Sequence, residues 1–114
     1  MGLDNFWQLP EGKEEPVFKP KLRLCGGMFS SHGTGSFRGN VYNRFIEKVS
    51  GLSLYCNLSN NDVKRISIAL CGSLAANEFY KYYKAEEFTE KEFEDLKRMF
   101  LTYADCGATL MAWY

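Results

Sequence analysis

Residues 32–42, HGTGSFRGNVY, hold the most chemically suggestive spacing in the chain. Gly33, Gly35 and Gly39 can turn backbone N–H groups toward a single point, because glycine reaches positive φ and leaves room for close approach. Ser30, Ser31, Thr34 and Ser36 add hydroxyls, His32 adds a ring N–H, and Arg38 adds a forked donor suited to phosphate or carboxylate. A helix opening after Ser36 would aim its unpaired N–H groups and partial positive charge at the same anion. Arg44 is a further cation for neutralising phosphates, and Tyr42 and Trp113 are candidates to stack on a base. The chemistry of such a set is capture of a phosphorylated group. The competing reading is a flexible connection that ends in a capping serine.

The segment GTGSF resembles the glycine-rich loop of protein kinases over about five residues. The third glycine comes one place late, after Arg38, and no kinase lysine, catalytic-loop or metal-binding motif follows, so a kinase is excluded. A Walker loop fails for want of GK followed by Ser or Thr, and no strand with an acidic end lies where a dinucleotide fold needs one.

Other catalytic chemistry is thin. His32 is the only histidine, so a histidine-rich metal site is excluded, and no metal or cofactor is expected. A nucleophilic pair of His32 with Cys25, Cys56, Cys71 or Cys106 would make a small cysteine-dependent enzyme, but the widely spaced cysteines read better as small buried hydrophobes. Glu90, Glu92, Glu94 and Asp95 form a solvated, helix-start acidic face. Aromatics make up 16% of the chain, and Tyr55, Tyr80, Tyr82, Tyr83 and Tyr114 join Tyr42 and Trp113 as residues able to stack or to line an interface.

The elements that must position these residues are mainly α. All three prolines and the EGKEE patch fall in residues 1–20, which predicts an extended arm whose Phe6 and Trp7 dock on the chain itself or on a neighbour. Residues 21–114 then form a single globular domain. KLRLC alternates as a short strand does. Helices are expected over about 37–50, capped by Ser36 and stopped by Gly51, and from Ser59 to Gly72, where SNND reads as a capping box. A third covers about 74–84, and a fourth runs from a Thr89 capping box to Gly107. ATLMAWY is a strand or a last helical turn. The fold class is therefore mainly α within α+β, with about four helices and one or two short strands in the N-terminal third.

At 114 residues the chain suits one domain that needs no disulfide or metal for stability. Net charge is zero but uneven: about −3 over residues 1–15, about +6 over 16–65 and about −3 beyond. The glycine tract lies in the basic part, where an anion would be drawn. No apolar run reaches the roughly 18 residues of a membrane span and no signal peptide is legible, which reads as cytoplasmic. Basic residues do not gather along one helix, so duplex nucleic acid is not an expected partner. The sequence thus favours a non-enzymatic, homo-oligomeric binder of a phosphorylated small molecule, most simply a nucleotide or cyclic nucleotide. Sequestering such a signal, as an anti-defence protein would, is one role for it. A protein-interaction module or inhibitor using exposed aromatics is the alternative, and the cysteine enzyme comes third.

Overall fold

The computed structural model describes residues 3–16, 18, 22, 24, 35–82 and 90–114. Its elements run β1 (Asp4–Gln8), β2 (Ser36–Phe37), α1 (Gly39–Ser50), α2 (Asn60–Leu70), α3 (Ser73–Tyr82), α4 (Glu90–Asp105) and β3 (Thr109–Trp113). The class is mixed α+β, with four helices and three short antiparallel strands among the described residues.

Helix boundaries follow local chemistry. On α1, Tyr42, Phe45 and Ile46 are buried, and Gly51 ends the helix at φ 77°, its N–H donating to the Glu47 carbonyl. At the start of α2 the capping box forms: Asp62 N–H donates to Ser59 Oγ at 3.2 Å, and Ser59 N–H to Asp62 Oδ2 at 3.3 Å. Val63, Ile66 and Leu70 then face inward. Cys71 is the C-cap, one residue before the expected stop at Gly72. α4 closes on Gly107 at φ 79°, with Ala108 N–H donating to the Tyr103 carbonyl at 3.0 Å and Gly107 N–H to that of Ala104 at 3.2 Å, a Schellman arrangement. The Thr89 cap expected for α4 lies outside the described residues.

Residues 4–8 of the expected extended arm form a regular strand, and its Trp7 docks on the chain itself. Asp4–Gln8 is the central strand, in the order β2-β1-β3, with both neighbours antiparallel. Its alternation is decisive: Asn5 and Trp7 point into the core, whereas Asp4 and Gln8 are exposed and Phe6 is half-buried. Trp7 is fully buried, stacked on Tyr103 at 4.5 Å between ring centroids and edge-on to Phe100 at 5.2 Å. It therefore cannot serve an interface. A second aromatic group, Phe45, Phe79 and Phe93, joins α1, α3 and α4, with Phe79 and Phe93 at 5.0 Å.

KLRLC is half right: Leu22 and Leu24 are both buried, but neither lies in a strand, and the rest of the segment lies outside the described residues. The final apolar run is β3, paired along its length with β1 from Asp4↔Trp113 to Gln8↔Thr109. The cysteines are corrected too, since Cys56 and Cys71 are exposed and Cys106 is half-buried; Cys25 lies outside the described residues. Among the described residues no helix is long and apolar enough to cross a membrane.

Candidate ligand-binding face

Ser30, Ser31, His32, Gly33 and Thr34 lie outside the described residues, so the candidate site is built from Gly35 onward. Gly35 is buried, and its carbonyl accepts from Trp7 N–H at 2.8 Å. Its own N–H donates to Glu15 Oε1 at 3.1 Å. An anionic oxygen thus does sit on the glycine tract, and it belongs to the chain. The Tyr103 hydroxyl donates to the same Oε1, while Glu15 Oε2 is buried with no hydrogen-bond partner among the described residues. Burial, and after it the Glu15 hydrogen bond, pushes the Tyr103 phenol well above the usual tyrosine range.

Ser36 does not cap a helix. It pairs with Phe6 in β2, and the N-cap is Arg38, on extended backbone at φ −81° and ψ 92°. Chain geometry explains the shift: Phe37 must pair with Asn5 to reach the core, so the helix begins two residues later than the serine suggests. Gly39 is buried for a packing reason, because a Cβ there would lie 1.7 Å from Asn5 Oδ1. Asn5 is itself pinned, its Nδ2 donating to the Leu54 carbonyl at 2.9 Å and to that of Met111 at 3.2 Å. Tyr42 is fully buried and donates its hydroxyl to Glu92 Oε1 at 2.6 Å, which leaves no ring face for a ligand. Arg44 is exposed on α1, but six residues beyond Arg38 it stands about 120° around the helix, on another face.

Two of the expected residues are brought into one row. Cross-strand partners in an antiparallel sheet share a face, so Asp4 and Trp113, paired across β1 and β3, project to the outer side together. Arg38 follows inward-facing Phe37 on extended backbone and therefore takes the outer side as well. The backbone stays beside β1 there, since Asn40 N–H donates to the Leu3 carbonyl at 2.9 Å. Arg38, the residue after β2, thus lines up with Asp4 and Trp113 on the outer side, with the Arg38 and Trp113 backbones about 10 Å apart at ordinary strand spacing. All three are exposed, and Trp113 reaches 70%. Helix α1 starts at the Arg38 end with no acidic residue in its first turn and no side-chain cap, so the dipole and the guanidinium act with one sign.

Beyond Trp113 the row opens into a cleft of about 490 Å³ lined by Tyr55, Cys56, Asn57, Ala112, Trp113 and Tyr114. Tyr55 and Tyr114 meet edge to face at 5.4 Å. Asn57 Oδ1 accepts from Ala112 N–H at 3.0 Å, next to the bridge between Leu58 and Leu110 that covers part of the β3 edge. Sequence reasoning reached Tyr55, Trp113 and Tyr114 through their type, but not Asp4, Glu15 or Asn57. No local signal marks any of the three, since DNFWQ reads polar, polar, apolar, apolar, polar and does not alternate in sequence. Among the described residues, no three His, Cys, Asp or Glu side chains are grouped to hold a metal ion.

Comparison with protein-family models, curated proteins and solved structures finds no match for this chain.

Proposed function

We propose that the chain is a non-enzymatic, cytoplasmic binding protein for a phosphorylated small molecule, most simply a nucleotide or cyclic nucleotide, which it holds out of circulation. The row Arg38, Asp4, Trp113 carries this reading. An exposed indole offers a stacking face, a carboxylate beside it accepts from sugar hydroxyls, and a guanidinium at a helix N-terminus neutralises phosphate. The order matches the order of the parts in a nucleotide, and each is a holding interaction.

Thermal unfolding at low salt, across mononucleotides, cyclic nucleotides and inorganic phosphate, tests the reading. A ligand at 100 times its dissociation constant stabilises by about 2.7 kcal/mol, a shift of roughly 10–20 °C for a domain of this size. Arg38→Ala should remove the shift while leaving the unliganded melting temperature within a few degrees. A flat panel for the unsubstituted chain would sink the proposal.

A second reading, a protein-interaction module, rests on the exposure of Trp113 at 70%, Tyr114 at 69% and Tyr55 at 42%. Clustered aromatics of this kind anchor interfaces, including those between copies of one chain. It separates from the first at Arg38, whose removal would leave a protein contact centred on Trp113 intact.

A further inference from the structure

Helices α1, α2 and α3 meet around a groove of about 370 Å³ that shares no residue with the Trp113 cleft. Val49, Ala69, Gly72 and Ala75 line it with small or apolar groups, and Leu74 forms its α3 side. At 73% Leu74 is the most exposed large hydrophobic side chain among the described residues, and Ile68, four residues before Gly72, is exposed at 72%. Two charges flank the groove: Lys48, from the last turn of α1, and Glu78, one turn beyond Leu74 on α3. Lys48 has no ion-pair partner among the described residues, and Glu78 meets Lys81 at 3.5 Å, an exposed pair of little strength.

This surface sets an apolar knob beside an apolar hole and a cation beside an anion. An isologous contact needs that combination, because one patch must complement its own copy, whereas a foreign partner needs only the hole. The chain carries no net charge, so copies approach one another without long-range repulsion. We infer that the groove is a two-fold interface between copies of this chain, with Leu74 of each seated in the groove of the other and Glu78 of each set against Lys48 of the other. A two-fold axis along the groove, midway between its floor and the α3 ridge, exchanges ridge for groove and carries Glu78 toward the α1 wall, where Lys48 stands. This contact is independent of the ligand-binding row.

Sedimentation velocity on the full chain over a range of concentrations tests the inference. The mass should rise from 13.1 kDa toward twice that value with concentration, since a single ridge and groove lie at the weak end of interfaces. Leu74→Asp should raise the dissociation constant by about tenfold or more, and it should leave the melting temperature within a few degrees because Leu74 is exposed. Lys48→Glu and Glu78→Lys should each weaken the dimer, and the two together should restore it. Trp113→Ala should leave association unchanged. A mass that stays at 13.1 kDa overturns the inference, as does a dimer that Leu74→Asp leaves intact or that Trp113→Ala dissolves. A double charge reversal no tighter than the single ones overturns the two-fold pairing.

Discussion

Glu15 and Tyr103 are separated by 88 residues in sequence, yet one hydrogen bond between them fastens the segment after β1 to α4. The phenol is held neutral in the folded chain, with its pKa above the value of about 10 expected in an unfolded one. A raised acid pKa means that this contribution to stability is complete below about pH 10 and is lost as pH climbs toward the folded value, at up to about 1.4 kcal/mol per pH unit. Denaturant unfolding between pH 8 and about pH 11 should therefore show an alkaline decline that is shallower in Tyr103→Phe. The same substitution should lower stability near pH 7 by about 1–3 kcal/mol, because Glu15 Oε1 keeps only the Gly35 donor. Parallel alkaline slopes in the two proteins would assign the decline to other groups.

Elements differ in how far they depend on distant residues, and α2 depends on them least at its start. Its cap is complete within Ser59–Asp62, so Ser59→Ala should cost about 1 kcal/mol and lower the melting temperature by roughly 4–8 °C. An unchanged melting temperature would show that the α2 contacts with α1 and α4 hold its first turn without the cap. The same locality made α2 legible in the sequence, together with the glycine stops of α1 and α4 at Gly51 and Gly107. β1 is not legible, because five residues that do not alternate and that precede Pro10 and a charged patch declare themselves a strand only through their partners, and those lie at 36–37 and 109–113. Once β1 is the central strand, Phe37 is drawn to Asn5, Ser36 becomes a strand residue, and the helix start moves to Gly39. The candidate site followed the same division. Arg38 and Trp113 are readable as residue types, whereas the row that joins them exists only through Asp4, whose place beside Trp113 is set by the β1–β3 pairing.

The whole molecule is organised around that strand. Leu3, Asn5 and Trp7 face helices α1 and α4, and both other strands pair with β1 and not with each other. Truncation through residue 8 should therefore abolish the cooperative thermal transition and the near-ultraviolet circular dichroism. Removal of a loosely docked arm would instead leave a transition displaced by a few degrees, and that outcome would contradict the central role assigned to β1. The pairing of Gln8 with Thr109 also has a meaning in time. A ribosome delivers β1 first and β3 roughly a hundred residues later, an interval of about 5–20 s at ordinary elongation rates. For that interval the indole of Trp7 has neither Tyr103 nor Leu110 to cover it, so the nascent chain exposes an adhesive strand until α4 and β3 have both been made.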